Sequence, residues 1–498
     1  MLHYIAVLLF GALLTFSYAP FSLWFLTPIL LTGLFYRLLL SKSGFKTGFA
    51  FGLGWFGAGI SWVHVSIADF GGLPLVGSVG LMILLCSFLA LYPGLFCFVL
   101  KRYCQPRFWP LLAPFIWFLC EFVRSWLFTG FPWLSIGYSQ LSGPLSGWMP
   151  VLGETGVSVL LIAICSSIAL SIKQKTVIPS VALTGVVLIS GWALNAVEWV
   201  SAKTNSFSIA MVQGNIKQEM RWAPEEEVPT MTKYLKLTKE HWHNELIIWP
   251  EAAIPRLEST AESFLHDLDT QAANNDSSLI TGIVNYNYDS RQAFNNLITL
   301  GKKSPSDTSG QYHYLHANRY DKHHLLPFGE FIPFESWLRE LAPIFDLPMS
   351  SFTRGDYLQP NLIANGINLA PAICFEIAFP RQIAANLTPE TDFIITVSND
   401  AWFGRSHGPD QHLEIAQVRA KEFGLPVLRA TNNGITAFIG YDGEVISRLP
   451  QFQAGVLSAE IASTSGSTPY RRWGDLPLWI LSLIVLAWVW REAAKNKT

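Results

Sequence analysis

Three segments of the chain each place one reactive side chain beside an apolar run. Glu251 follows the run Leu-Ile-Ile-Trp, Cys374 ends another such run, and Lys322 precedes an apolar turn. A carboxylate can accept the proton of a thiol, an ammonium group can stabilise an oxyanion, and a thiolate is a strong nucleophile. Together, the three residue types predict covalent catalysis, with a thiol nucleophile, a carboxylate base and a cationic oxyanion stabiliser.

The use of cysteine agrees with this chemistry without requiring it. Of the six cysteines, only Cys374 lies between residues 201 and 475, so it has no disulfide partner in that part of the chain. An unpaired thiol in an oxidising compartment is a liability unless it is buried or used. From the residues alone, a packing role and a nucleophilic role for Cys374 are equally open, and Glu251 or Lys322 taken singly is as well explained by a surface ion pair.

Charge is distributed unevenly along the 498 residues. Only 14% of the chain is Asp, Glu, Lys or Arg, against roughly 25% in ordinary soluble proteins. Residues 201–475 hold 31 of the 36 acidic residues and 22 of the 34 basic ones. This pattern argues against a wholly soluble protein, and the acidic excess of the polar block excludes a basic nucleic-acid-binding domain.

Eight apolar stretches lie outside the polar block. Most approach the roughly 20 residues that a helix needs to cross a bilayer, whereas the first and last are shorter and need flanking aromatic residues. The stretches are residues 4–18, 22–40, 45–67, 75–100, 108–128, 152–172, 177–197 and 476–490. The sequence therefore predicts a membrane domain of about seven helices over residues 1–200, and a C-terminal membrane helix with a cytoplasmic tail over residues 476–498.

Basic residues indicate how these stretches are oriented. Every even-numbered stretch is followed by Lys or Arg, whereas the loops near Pro20, Asp69 and residues 129–150 contain neither. The positive-inside rule then places both termini in the cytoplasm and the polar block, residues 201–475, outside it. A signal peptide cleaved after Ala19 is the alternative for the first stretch, and it is disfavoured because the n-region lacks Lys and Arg.

One apolar stretch contains two ionisable residues, Glu121 and Arg124. They are three positions apart and so share one face of a helix. Charged groups at membrane depth usually pair with each other or line a polar cavity. The sequence favours a structural ion pair over a functional cavity.

Within the polar block, short β-rich runs alternate with helical stretches. Examples of the runs are residues 208–212, 245–249, 278–284, 368–374, 392–397 and 437–440, and examples of the helical stretches are residues 228–245, 262–275 and 410–423. Such alternation is typical of α/β domains. We therefore expect a single α/β domain in the polar block.

At the segments that carry Glu251, Lys322 and Cys374, the chain resembles the nitrilase, or carbon-nitrogen hydrolase, superfamily. The sequences WPEAAIP, KHHLLPFGEFIP and CFE match its three signatures in order. The resemblance implies a four-layer αββα sandwich in which these three residues form a Glu–Lys–Cys triad. Phe375 departs from the pattern, because many members carry Tyr after the nucleophile, and this removes a hydroxyl contact.

With its apolar stretches and external polar block, the whole chain resembles the membrane-bound acyltransferases of this superfamily. That resemblance implies a multi-span α-helical membrane domain joined to an extracytoplasmic nitrilase-like domain in the inner membrane of a bacterium. It also implies a phospholipid that donates an acyl chain to Cys374 and an apolipoprotein whose α-amino group accepts the chain from the thioester. Neither a cofactor nor a metal is expected, and the protein is expected to act as a monomer.

Residues beside the triad are candidates for supporting roles. Glu330 matches the second glutamate of the superfamily and would position Lys322 or the substrate amine. The backbone N–H of Phe375 would join Lys322 at the oxyanion, and Glu376 would support the loop after the nucleophile.

Three aromatic residues are further candidates. Trp222 matches a tryptophan that the family places at its pocket, although a packing role is the plain alternative, and Trp402 lies in residues 398–404, which share the resemblance. Phe345 belongs to an apolar stretch interrupted by two prolines. We expect it to line a mobile lid that faces the membrane, and the alternative is a loop packed on its own domain.

Three other classes of function can be set against this expectation. A metal site is the weaker interpretation of the histidines, because His407 and His412 are five apart and His323 and His324 are adjacent. A membrane-tethered amidase of the same superfamily would use water as the acceptor and would leave eight spans unexplained. A transporter or receptor should carry several charges inside its spans, whereas only two lie well inside one here.

Overall fold

The computed structural model of the chain describes residues 1–70, 74–327, 329–331 and 352–495, so Phe345 lies outside the described residues. The chain divides into two compact units. The first unit contains Met1–Trp199, Ser406–Glu414 and Ser467–Thr498, and the second contains Val200–Arg405 and Ile415–Gly466.

The first unit is helical, and each of the eight predicted apolar stretches contains a helix. Seven of these helices are α1 (Leu2–Leu13), α2 (Leu26–Leu40), α3 (Gly44–Gly59), α4 (Leu75–Tyr103), α5 (Trp109–Arg124), α6 (Met149–Gln174) and α7 (Ile178–Asn195). The eighth is the C-terminal helix Leu476–Lys495. This helical region, with its several apolar helices, confirms the membrane-domain part of the predicted fold class.

The helices differ in whether they can cross a bilayer unaided. By length and composition, three of those described can do so, namely Leu75–Tyr103, Ser146–Gln174 and Ile178–Asn195. A fourth span results if Gly44–Gly59 and Val63–Asp69, which are bent by 62° relative to each other, act together. Leu2–Ser17, Leu26–Leu40 and Leu476–Val489 are apolar but shorter, so the number of eight spans stays a prediction.

Glycine allows helices α1 and α3 to approach each other closely. A Cβ atom on Gly54 would lie 1.9 Å from the carbonyl oxygen of Leu8, and one on Gly11 would lie 2.0 Å from that of Phe51. Small residues serve this purpose in membrane helix packing, where close van der Waals contact replaces the hydrophobic effect as the source of stability. The absence of side chains at these two positions therefore sets the distance between the helices.

The two ionisable residues of α5 form the ion pair that the sequence favours. Arg124 Nε donates to Glu121 Oε2 over 3.2 Å, and Arg124 Nη1 also donates to the backbone carbonyls of Phe131 and Trp133. Both charged side chains are buried, and they line a small pocket together with Trp55, Phe56 and Trp117. The arginine therefore fixes the chain that follows α5 as well as neutralising its partner.

The segment Ser406–Glu414 packs within the first unit although its composition is polar. Gln411 Oε1 accepts hydrogen bonds from the indole N–H groups of Trp62 (3.2 Å) and Trp133 (2.8 Å), while Gln411 Nε2 donates to the carbonyl of Gly59 (3.1 Å). Buried amide and indole groups need such partners. Hydrogen bonding rather than hydrophobicity thus assigns this segment to the helical unit, and polar composition alone gave no indication of it.

The second unit contains two six-stranded sheets. In chain order the strands are β1 (Val200–Gln213), β2 (Leu246–Ile248), β3 (Ser278–Asn287), β4 (Gln292–Gly301), β5 (Arg319–Asp321), β6 (Leu362–Ala364), β7 (Ile367–Ile373), β8 (Phe393–Ser398), β9 (Val427–Thr431), β10 (Ala437–Ile439), β11 (Val445–Arg448) and β12 (Gly455–Gly466). The first sheet has the order β12-β1-β2-β3-β4-β5 and the second β11-β10-β9-β8-β7-β6. Strands β1, β2 and β3 are parallel, as are β7, β8 and β9.

The two sheets pack face to face and are flanked by helices. One apolar cluster joins residues of both sheets, among them Ile248, Ile280, Leu369 and Ile395. A second cluster joins the other face of the first sheet to helices α8 (Glu227–Thr238) and α9 (Glu262–Asn274). Helix α10 (Pro380–Asn386) packs on β7, and α11 (Gly408–Phe423) follows β8. This is the predicted αββα sandwich, and the continuous apolar runs of its central strands reflect burial on both faces.

The close approach of α1 and α3 predicts a position-specific loss of stability. Gly54→Val should destabilise the first unit by about 2 kcal/mol or more, because a branched side chain cannot fit against the backbone of α1. Gly57→Val is the matched control in the same helix, since nothing lies within 4 Å of a Cβ there. Thermal unfolding in detergent measures both, and equal midpoints for the two variants would contradict the packing argument.

Candidate active site

Parallel strands deliver the functional groups to one end of the sandwich. Glu251 follows β2, Cys374 follows β7 directly, and Asn399 follows β8 directly. The backbone N–H of Asn399 donates to Glu251 Oε2 over 3.1 Å. The carboxyl ends of strands from both sheets therefore meet at one site, as in other parallel α/β sheets.

Cys374 occupies a strained turn between β7 and a short helical turn, Cys374–Ala378. Its φ angle is 55°, in the left-handed region that non-glycine residues rarely adopt. Such strain concentrates at functional sites and persists only where the surroundings hold it. The thiol is half-buried, so the turn presents it at the edge of the sheet.

Glu376 supplies the contacts that hold this turn. Its carboxylate accepts hydrogen bonds from the backbone N–H groups of Ile373 (2.8 Å), His323 (2.8 Å) and His324 (3.0 Å). Tyr320 and Gln382 donate to the same carboxylate. Glu376 thus ties the segment that carries Lys322 to the turn that carries Cys374.

Both carboxylate oxygens of Glu251 accept hydrogen bonds. One carboxylate oxygen, Oε1, is 3.3 Å from Lys322 Nζ and accepts a hydrogen bond from Asn295 Nδ2 over 2.8 Å. The segment that carries Glu251 runs so close to β3 that a Cβ on Gly282 would lie 2.2 Å from the backbone nitrogen of Ala252. Only glycine at position 282 allows the carboxylate to reach this place.

Lys322 bridges two carboxylates. Its ammonium group is 2.8 Å from Glu330 Oε1 in addition to the contact with Glu251, and its side chain is 2% exposed. Asn295 Nδ2 donates to Glu330 Oε1 as well, over 3.0 Å, and the backbone N–H of Leu326 donates to Glu330 Oε2 over 2.9 Å. Glu330 is therefore in direct contact with the lysine and shares Asn295 with Glu251.

Burial and the charges of this cluster shift the pKa values of Glu251, Lys322 and Cys374. Burial raises the pKa of Glu251, but the positive charges of Lys322 and Arg221 outweigh it and bring the pKa below its ordinary value. Burial lowers the pKa of Lys322, and the two carboxylates, Glu330 first, outweigh it and raise the pKa. Burial raises the pKa of the Cys374 thiol well above its ordinary value, and the charge of Glu251 adds to the effect. At neutral pH the site thus holds a carboxylate, an ammonium group and a neutral thiol.

The remaining predicted residues are placed as follows. Phe375 is buried, and its ring packs edge-on against Phe379 at 5.0 Å between centroids. Trp222 is 40% exposed. Trp402 is half-buried in the turn Asp400–Phe403, which follows β8.

Sequence reasoning missed three residues of the site. Asn295 lies on β4, Asn399 follows β8, and Arg221 donates a hydrogen bond to the backbone carbonyl of Glu251. Polar residues at the end of a buried strand, such as Asn399 after Phe393–Ser398, were the one signal that could have found them. No group of three His, Cys, Asp or Glu residues suited to a metal ion occurs in the described part of the chain.

Comparison with known proteins agrees with the geometry. Residues 208–470 match the carbon-nitrogen hydrolase family, and residues 10–168 match the apolipoprotein N-acyltransferase N-terminal domain. The chain is 47% identical to an apolipoprotein N-acyltransferase from Photobacterium profundum, over 95% of this chain and 92% of that protein. It is 46% identical to one from Vibrio cholerae, over 94% of this chain and 93% of that protein.

Among solved structures, a carbon-nitrogen hydrolase from Helicobacter pylori is similar to this chain. The similarity covers 56% of this chain and 94% of that one, with 16% sequence identity and a TM-score of 0.39.

The αββα sandwich and the match over residues 208–470 define the second unit as a carbon-nitrogen hydrolase domain. The helical unit, the match over residues 10–168 and the near full-length identity go further. The chain belongs to the apolipoprotein N-acyltransferase family.

The charge balance of the site predicts how Cys374 reacts with a small neutral reagent. Glu251→Gln removes a negative charge that helps to raise the pKa of the thiol, while Lys322 remains. The thiolate fraction at pH 8 should rise, and alkylation by iodoacetamide should become roughly three- to tenfold faster, since one pKa unit is a tenfold change in ionisation. Mass spectrometry of the Cys374 peptide measures the rate, with Glu460→Gln on an exposed carboxylate as the control. Slower alkylation of the Glu251→Gln variant would contradict this charge effect and show that loss of the proton acceptor outweighs loss of the negative charge.

Proposed function

We propose that this protein transfers a fatty acyl chain from a phospholipid, through a thioester on Cys374, to the α-amino group of the diacylglyceryl-cysteine of apolipoproteins. Family membership supports the reaction. The observation that carries the residue assignment is the buried cluster of Glu251, Lys322 and Glu330 beside a strained cysteine. Such a cluster supplies a base, a cation and a nucleophile within one site.

In the first half-reaction the Cys374 sulfur attacks the ester carbonyl carbon of the phospholipid, and Glu251 takes the thiol proton. The oxyanion that forms is stabilised by Lys322 and by the backbone N–H of Phe375. The carbon–oxygen bond then breaks, and the leaving alkoxide receives the proton from Glu251, which releases a lysophospholipid. Because its pKa is lowered, Glu251 begins this step ionised and ready to accept a proton.

In the second half-reaction the α-amino group attacks the thioester carbonyl. Glu251 accepts a proton from the amine, the same donors hold the second oxyanion, and the carbon–sulfur bond breaks. The cysteine sulfur recovers the proton, and the product carries an amide-linked third acyl chain. Lys322 must stay charged through both halves, and its raised pKa favours this.

We also propose that the catalytic unit lies on the periplasmic side of the inner membrane and that both termini are cytoplasmic. The basic residues after the even-numbered apolar stretches support this orientation. Membrane attachment suits a donor that is itself a membrane lipid. The protein would act as a monomer without a cofactor.

Removal of the nucleophile tests the reaction. Cys374→Ala should abolish both the acyl-enzyme and the acylated product while the protein remains folded, because the lost group is small and its role is chemical. After incubation with phospholipid, mass spectrometry of the Cys374 peptide should show an added acyl chain in the wild type and in the control Cys104→Ala. Normal turnover by Cys374→Ala would contradict the assignment, and release of free fatty acid in place of an acylated diacylglyceryl-cysteine peptide would indicate a hydrolase.

Labelling from outside the cell tests the orientation. A membrane-impermeant maleimide applied to spheroplasts should label a Ser306→Cys variant, because Ser306 is exposed in the catalytic unit. Cys104, in the loop after α4, should be labelled only after permeabilisation. Labelling of Cys104 in intact spheroplasts would reverse the proposed orientation.

A further inference from the structure

The segment before helix α8 contains a buried arginine that the proposed mechanism does not use. Arg221 is 8% exposed, and its Nη2 group donates to the backbone carbonyl of Glu251. Among the described residues it forms no salt bridge with a carboxylate. A guanidinium group carries five N–H donors, so most of its hydrogen-bonding capacity is left for another partner.

Hydrogen bonds hold this segment rigidly against the active site. The backbone N–H of Asn215 donates to the carbonyl of Asn432 over 2.6 Å, and the Asn432 side chain bonds both the N–H (2.9 Å) and the carbonyl (2.7 Å) of Ile216. Farther along, Gln218 Oε1 accepts from Asn399 Nδ2 over 2.5 Å. Because Asn399 also bonds the Glu251 carboxylate, the arginine is positioned by the same residues as the base.

The positive charge of Arg221 brings the net charge of the four ionised side chains of the site to zero. Glu251 and Glu330 bring two negative charges, and Lys322, which contacts both, brings one positive charge. Arg221 adds the second positive charge. Burial lowers its pKa, and the nearby Glu251 and Cys374 are among the groups that raise it, so its guanidinium belongs to the same electrostatic environment as the nucleophile.

We propose that Arg221 binds the phosphate group of the phospholipid donor. This rests on the function proposed above, since a phospholipid carries its phosphate on the same glycerol as the ester that Cys374 attacks. Arginine binds phosphate oxygens in pairs through its planar fork of donors. Lys322 is already engaged by two carboxylates, which leaves Arg221 as the cation with donors to spare among the described residues of the site. The phosphate contact would select phospholipids over neutral diacylglycerols and hold the ester at the thiol.

The first test compares two donors that differ in the phosphate. Acylation of Cys374 is followed by mass spectrometry with a diacyl glycerophosphoethanolamine and with the diacylglycerol of the same chains, both in mixed micelles. Arg221→Gln should lower the rate with the phospholipid at least tenfold more than the rate with the diacylglycerol, because a charge-assisted hydrogen bond contributes on this scale. Arg221→Lys should retain part of the preference. Arg448→Gln, which removes an exposed cation of the same unit, is the matched control and should behave as the wild type.

The ratio of the two rates is measured within each variant, so loss of folded protein does not affect it. An equal loss with both donors would overturn the proposal, since Arg221 would then act only by holding the backbone of Glu251. An unchanged phospholipid rate would also overturn it.

The second test needs no acyl transfer and therefore separates this inference from the proposed function. Glycerophosphoethanolamine, which has no acyl chains, should slow the alkylation of Cys374 by iodoacetamide in the wild type and not in Arg221→Gln. This result would support phosphate binding even if no acyl-enzyme formed. Equal alkylation rates with and without the compound would overturn the proposal, and protection by inorganic phosphate alone would assign the site to free phosphate rather than to a lipid.

Discussion

The contact between Lys322 and the two carboxylates of Glu251 and Glu330 is the interaction on which the catalytic unit depends. Charges buried in a protein are costly unless they are paired and their remaining hydrogen-bonding positions are filled. Here Asn295 bonds both carboxylates, and backbone N–H groups of Asn399 and Leu326 fill further positions. Asn295 lies on β4 of the first sheet, Asn399 directly follows β8 of the second, and Leu326 lies in the segment after β5. The sandwich must therefore close completely before the charges are satisfied, which makes the active site a consequence of the whole fold.

Cys374, the proposed nucleophile, has a strained backbone conformation, and the buried carboxylate of Glu376 maintains it. Cys374 adopts a left-handed backbone conformation while Glu376 gathers N–H groups from the segments on either side of the site. Burial raises the pKa of Glu376, opposed by its hydrogen bonds to the backbone of Ile373 and His324. In the proposed mechanism Glu251 serves the chemistry, whereas Glu376 serves the architecture, although each lies three residues after the end of a strand, β2 and β7 respectively. Their environments rather than their residue type separate the two roles.

The helical unit is stabilised by different means, because apolar side chains alone give little specificity among apolar helices. Glycine at positions 11 and 54 lets backbones approach, and Gln411 ties together the indole groups of Trp62 and Trp133. Arg124 binds Glu121 and two backbone carbonyls at once. The glycines permit close packing, and Gln411 and Arg124 satisfy buried polar groups. These contacts specify the arrangement of the helices, which hydrophobic burial alone does not.

The sequence by itself determined the class of each unit, and it predicted the reactive residues. Uneven charge and long apolar stretches identified the helical region, alternating strands and helices predicted the α/β sandwich, and the segments around Glu251, Lys322 and Cys374 indicated the chemistry. These features are local, since residue type, period and flanking residues are all read within a short window. Tertiary structure decided which strand ends meet. Asn295 on β4, Asn399 after β8 and Arg221 before α8 are ordinary polar residues in the sequence, and they join the site only because two sheets pack face to face. The placement of residues 406–414 in the helical unit was decided in the same way, by hydrogen bonds to tryptophans more than 270 residues away along the chain.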